Sequence, residues 1–442
     1  MIPLISETAR EGRPGPAVAP IHKAVGDVAL TDVKAFAKGQ PWTTYRALRE
    51  QAPVSWHDEP LSGAGFWAVT RHADVMRVNG DPQTFSSQAG GILMVTPNAA
   101  EGHPMLTRAS LDTMINMDQP WHLELRREHM PFFTPAYLAK LKDRVAAETT
   151  RLLDDIAKHS GPLDMVEHFS SKLPLFTLCE ILGVPEPDRA KFLEWMHYLE
   201  LAQDLAIRQR TGGVTPSVEL MQFIMDFNRN VEELFAYGRD MLHKRRRDPQ
   251  PDLMSAIAAA KLEGVHLSDE YLDGSWLLIV FAGNDTTRNT LSGAMKLLTE
   301  FPNEKAKLAA HSDLLGNAAN EFIRMVSPVI YMRRTATKDV EIAGQHIAEG
   351  EKVIMWYGAA NRDEAVFADA DTLKVDRPNA DKHVAFGYGP HVCLGKRVAQ
   401  IQLEEAYRQI LARFPQARWT GEMEIAPNNF VHAISKLTVE LA

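Results

Sequence analysis

Cys393 closes a loop that carries Gly387, Gly389 and Pro390. Behind it, Leu394 to Arg413 places Leu394, Val398, Ile401, Leu403 and Ile410 at helical spacing. A thiol set where a loop becomes a helix meets free backbone amides, which stabilise negative charge and favour the thiolate. The glycines admit backbone angles closed to other residues and let a flat ligand come near. Phe386 is placed to pack beside the sulfur. The chemistry this setting suits is metal ligation by one soft anion, rigidly held and sheltered from water. Read alone, the same residues also describe a buried structural cysteine in a glycine-rich loop.

A second group with chemical potential is Ala282-Gly-Asn-Asp-Thr-Thr287. It lies inside a helical pattern that opens at Ser268, an expected N-cap with Asp269 and Glu270 in the first turn, and runs to about Glu300. Roughly 33 residues at 1.5 Å each give a helix of about 50 Å, enough to cross the molecule. Gly283 weakens a helix interior, and Thr286 competes for backbone carbonyls. The run therefore predicts a local opening in the longest helix, with the acid–alcohol pair Asp285 and Thr286 beside it. His122 and Arg126 stand four apart on one predicted helix face, and Glu321 and Arg324 three apart on another. Alone, such pairs read as solvated surface charges worth little.

The elements that must position these groups are mostly helical. Helices are expected over Thr43 to Gln51, Pro135 to His159, Ser170 to Leu182, Asp188 to Leu205 and Ser217 to Arg247, the last two joined by a connector from Arg208 to Pro216. Strands are expected at Val54 to Trp56, Gly65 to Thr70, across Val329 to Val353, and near the C-terminus. Phe85 to Leu111 shows no period, and its apolar Ile92, Leu93, Met94 and Val95 suggest a loop covering something apolar.

Across 442 residues no linker, repeat or low-complexity tract marks a boundary. A formal net charge of −9 argues against a nucleic-acid binder. Two cysteines, Cys179 and Cys393, make no disulfide framework and suit a reducing compartment. No apolar run is long enough for an anchor, so the expectation is a cytoplasmic, monomeric protein without membrane contact.

The pattern Phe386-x-x-Gly-x-x-x-Cys-x-Gly395 resembles the haem-binding loop of the cytochrome P450 (haem-thiolate monooxygenase) superfamily, bacterial soluble type. The resemblance runs from about Trp42 to Leu441, with the motifs in the family's order. It implies a mainly α fold with small β-sheets: one large triangular domain over 31–442, after a leader over 1–30, with haem between a long central helix and the cysteine loop. It further implies that Cys393 ligates the iron of haem b. His122, Arg126, Arg334 and His391 would meet its propionates, with Phe386, Gly387, Gly395 and Ala282 against the ring. Asp285 and Thr286 would deliver protons for oxygen activation. Glu321, Arg324 and Arg377 would be structural, and the helix pair joined by Arg208 to Pro216 a lid.

Leu93, Met94, Leu278, Ala282, Val329, Ile330 and Val431 are the expected substrate pocket. Four runs, Asn284 to Asn289, Tyr331 to Thr337, Ala360 to Glu364 and Asn429 to His432, resemble the branch that hydroxylates alkanes, fatty acids, terpenoids and sterol side chains. Terminal hydroxylation of an aliphatic chain is the preferred reading. The chain carries no flavin, nicotinamide or four-cysteine iron–sulfur signature. Electrons are therefore expected from a ferredoxin with its NAD(P)H-dependent reductase, docking near Arg127, Lys396 and Arg397. A peroxide-driven peroxygenase, a haem-based sensor or carrier, and a protein without haem are the alternatives.

Overall fold

The computed structural model describes residues 29–59, 65–95, 103–210 and 217–441. Residues 1–28 of the expected leader and 211–216 of the expected connector lie outside them.

Eight helices matter for the site: α1 (Trp121–His129), α2 (Pro135–Ile156), α3 (Lys172–Leu182), α4 (Arg189–Arg210), α5 (Val218–Arg247), α6 (Asp269–Glu300), α7 (Leu315–Val326) and α8 (Lys396–Arg413). Local chemistry explains several ends. The Ser217 hydroxyl caps α5 by accepting the Leu220 N–H at 3.1 Å, and Lys244 to Arg247 sit at its negative end. α3 stops at Gly183, which takes the left-handed conformation at φ 70°. Ser268 is the N-cap residue of α6, with Asp269 and Glu270 in the first turn as expected, though its side chain makes no capping bond to the backbone and bonds Glu270 instead.

α6 runs through the main apolar core with 20 buried residues. Its three interior glycines are points of close approach. A Cβ at Gly274 would overlap the Asp112 carbonyl oxygen at 1.7 Å. At Gly283 it would press Leu178 of α3 at 2.9 Å, and at Gly293 it would strike Val326 of α7 at 2.6 Å. No break interrupts the helix from Asp269 to Glu300 at Gly283. The Thr286 hydroxyl does donate to the Ala282 carbonyl there, the competition expected of it, and Gly283 also lies close against Leu178 of α3.

A five-stranded sheet takes the order β1-β2-β5-β4-β3, from β1 (Val54–His57), β2 (Phe66–Val69), β3 (Phe85–Ser86), β4 (Tyr331–Ala336) and β5 (Lys352–Trp356). β2 and β5 are parallel, and both are buried along their whole length. A hairpin of β6 (Arg418–Ala426) and β7 (Ala433–Glu440) packs against α6. The stretch read as a loop from Phe85 to Leu111 holds β3 and a helix at Pro104–Leu111. That helix is only 8 residues long, too short to show a period. Residues 96–102 lie outside the described residues. No described helix is long and apolar enough to cross a membrane.

Candidate functional site

The cysteine loop is built on left-handed glycines, Gly387 at φ 73° and Gly389 at φ 70°. A Cβ at Gly389 would come within 2.7 Å of the Asn79 carbonyl, so the loop lies against backbone. The Cys393 N–H donates to Phe386 O at 2.8 Å and closes the loop. α8 then starts with Gly395 as its N-cap. The amides of Gly395 and Lys396 act on the sulfur and favour the thiolate, as do the charges of Arg126 and Lys396. Burial outweighs them and raises the thiol pKa, which corrects the expectation of a lowered one. Protein dipoles alone do not ionise this thiol; a coordinated metal ion deprotonates such a sulfur outright. Cys393 is nevertheless exposed. The two observations agree when the sulfur faces space inside the molecule. Ala282, in mid-α6, is likewise exposed although Val280 and Asn284 beside it are buried. The other cysteine, Cys179, is fully buried in α3, with its thiol pushed up to about 12.

Basic groups from α1, β4 and the loop itself converge beside the sulfur. His122 on α1 stacks on His391 with ring centres 3.9 Å apart. Arg126 lies one turn along α1, close enough to influence the charge on Cys393. Arg334, buried on β4, donates to Arg333 O at 2.7 Å and to Asn79 Oδ1 at 3.4 Å. Burial, then Arg126 and Arg334, lower the His122 pKa to about 4. Burial, then Arg334, His122 and Arg126, push His391 lower still. His122 Nδ1 is buried without a hydrogen-bond partner. Asp118 is the carboxylate that Arg334 feels.

His129, one turn beyond Arg126, is 2% exposed and neither ring nitrogen has a partner. Burial, then Arg126, lower its pKa from 6.5 to about 4. The unfolded chain therefore binds the proton first, and this stabilisation is full above pH 6.5 and lost as pH falls towards 4. His129→Phe is expected to remove an acid sensitivity of about 2 kcal/mol between pH 7 and pH 5. Urea unfolding at pH 7 and pH 5 checks this; equal pH dependence in both proteins contradicts it.

The acid–alcohol pair lies in the middle of α6. Thr286 Oγ1 donates to Ala282 O at 3.3 Å, and Thr290 Oγ1 donates to Thr286 O at 2.8 Å. Asp285 pairs with Arg288 at 3.5 Å and accepts from Asn284 Nδ2 at 3.3 Å. Arg288, one turn along, was visible in the sequence as a charge partner but was not read as one.

Glu321 of α7 receives both Arg324 Nε and Nη2 at 2.7 and 2.8 Å, and Arg377 Nε at 2.9 Å. Arg324 Nη1 donates to the carbonyls of Asn361 and Ala370. Asn361 Oδ1 accepts from the Val384 N–H at 2.8 Å, two residues before Phe386. The ion cluster thus reaches the cysteine loop through Asn361, which no spacing announced.

Of the expected pocket residues, Leu93, Leu278, Val329 and Val431 keep partial exposure, and Val329 and Val431 pair across a β-bridge. Met94 and Ile330, at 4% and 0% exposure, pack instead into a cluster with Phe36, Tyr45 and Trp356.

The Cytochrome P450 family model matches residues 108–429. The chain belongs to the cytochrome P450 family. It is 32% identical to linalool 8-monooxygenase of Pseudomonas putida, over 92% of this chain and 97% of that protein. It is 31% identical to a methyl-branched lipid omega-hydroxylase of Mycobacterium tuberculosis, over 89% and 90%. A Mycobacterium marinum cytochrome P450 in complex with pseudoionone superposes with a TM-score of 0.82 at 32% identity, covering 96% of this chain and 100% of that one. As a cytochrome P450 the protein is a monooxygenase that binds haem b through a cysteine and draws electrons from a redox partner. The residues present fit that group: an enclosed yet accessible sulfur, and a buried basic cluster with an unpartnered imidazole nitrogen, matched to an anionic cofactor.

Proposed function

We propose that this P450 hydroxylates an unactivated C–H bond of a hydrophobic small molecule, with Cys393 as the iron ligand and a ferredoxin as electron donor. The observation that carries it is the basic cluster of His122, Arg126, Arg334 and His391 beside the accessible Cys393 sulfur. When bound, haem supplies the oxidising chemistry that turns O2 and two electrons into one inserted oxygen atom and one water. The four basic side chains would hold its carboxylates, through charge-assisted bonds worth about 1.5–3 kcal/mol each. Forming water consumes two protons, and Thr286 and Asp285 would pass them. Thr286 Oγ1, which now donates to Ala282 O, would turn its O–H into the space that Ala282 faces. Asp285, tethered by Arg288, would restore that proton from solvent.

Leu93, Leu278, Ala282, Val329 and Val431 would orient the substrate and exclude water. The similar proteins are named for linalool and methyl-branched lipids, and one holds pseudoionone, which supports an aliphatic or terpenoid chain oxidised near its end. The acid–alcohol pair favours O2 over peroxide as oxidant. On the proposed docking face Arg397 is engaged by Glu404, while Arg127 is exposed and Lys396 lies over the Phe386 ring. Arg127 and Lys396 are thus the residues offered to an acidic ferredoxin.

Thr286→Ala tests the proton role. It should bind haem and substrate normally, while product per O2 consumed falls at least about tenfold and peroxide appears, general acid catalysis being worth about 10²–10⁴. A variant that stays coupled overturns the role.

A further inference from the structure

A cavity of about 530 Å³ lies away from the cysteine loop. It is bounded by the last turns of α6, the end of α7, the β6–β7 hairpin and the chain from Lys38 to Trp42. None of Cys393, Thr286, Arg334 or His122 lines it. The volume falls in the range of small-molecule sites, about 300–1,000 Å³.

Its relation to the proposed substrate cavity follows from strand alternation. His432 and Ile434, two residues apart, both line it. Val431 does not; it pairs with Val329. Successive side chains of an extended segment point to opposite faces. One extended segment therefore separates the two spaces, and the Ile434 N–H is fastened to Asn289 Oδ1 of α6 at 2.7 Å.

The lining has two characters. Leu297, Met325, Val326 and Ile434 make an apolar body. At the rim, Lys38, Lys296 and Arg362 face only two carboxylates, Glu300 and Asp371. Both carboxylates are already engaged, Glu300 by Lys296 at 2.5 Å and Asp371 by Arg362 at 3.0 Å. Lys38 is exposed and, among the described residues, makes no ion pair. Lys296 also lies 5.3 Å over the Trp419 ring, and its charge bears on His432. His432, held neutral by burial and then by Lys296, adds a hydrogen-bonding group without charge.

We propose that this cavity is a second small-molecule site for an amphipathic carboxylate, its chain against Leu297, Met325, Val326 and Ile434 and its head group between Lys38 and Lys296. An apolar tail recovers hydrophobic stabilisation there, and the carboxylate completes a rim short of one anion. Occupancy would press on His432 and Ile434, and so on the segment that also carries Val431. The site is thereby an effector site for substrate binding.

The test uses haem-loaded protein saturated with a bulky haem-ligating azole, which fills the substrate cavity. Decanoate and decyltrimethylammonium are then titrated by calorimetry. One equivalent of decanoate should bind and the cation should not. Lys38→Glu with Lys296→Glu should weaken decanoate at least about tenfold, the loss of one charge-assisted bond, with an unchanged carbonyl spectrum. A second variant, Met423→Trp, narrows the cavity and should weaken decanoate without charge change. No saturable binding to azole-blocked protein overturns the proposal. So does equal binding of the cation, or decanoate affinity untouched by the charge reversal.

Discussion

Cys393→Ser is expected to lower turnover by more than about 10³-fold, a barrier increase of about 4 kcal/mol. Serine keeps the size and the loop geometry, including the bond from the residue 393 N–H to Phe386 O. It replaces a soft, ionisable sulfur by a hydroxyl that stays protonated, and the electron donation that favours O–O cleavage goes with it. Cys179 offers no substitute, because it is buried within α3 and its thiol is held protonated. The variant should unfold at nearly the wild-type urea concentration, since the loop is held by glycines and backbone bonds. Product formation with redox partners, beside that unfolding curve, checks the expectation. Retained turnover contradicts it.

Glu321→Gln is expected to be the most damaging change remote from the chemistry. The Glu321 carboxylate is the shared anion of two guanidinium groups, and its side chain and that of Arg324 are 0% exposed. Removing the charge leaves Arg324 and Arg377 buried beside each other without it, and breaking such a pair costs about 3–5 kcal/mol. The loss should travel to the site. Arg324 holds the carbonyl of Asn361, and Asn361 holds Val384 at the head of the cysteine loop. The measurements are the urea midpoint and the fraction of haem retained after gel filtration. A change below about 1 kcal/mol, inside the range of ordinary surface ion pairs, would show that the cluster does not act as a unit.

What the sequence disclosed depended on how far apart the interacting residues lie. The cysteine loop, the Asp285-Thr286 pair and the Glu321–Arg324 pair each sit within one stretch of sequence, so spacing brought their residues together, while their roles came from the resemblance. Arg377 and Arg334 entered only through resemblance, since their partners lie across the fold. At Gly283 the sequence announced a weak point in the helix but not the close contact with Leu178, which lies on another helix. Met94 and Ile330 were apolar and near the right motifs, but which face they turn inward is decided by Tyr45 and Trp356. The thiol of Cys393 was expected to be acidified by helix-start amides. Those amides do act on it, yet burial is the larger effect. The cavity beside His432 assembles segments distant in sequence, and nothing in their order foretells it.

The assignment of Cys393 is tested most directly by the absorption spectrum of the reduced protein under carbon monoxide. If the Cys393 thiolate holds the iron, the Soret band should lie far to the red of that of a histidine-ligated globin. A band at the globin position, in fresh and intact protein, contradicts the account.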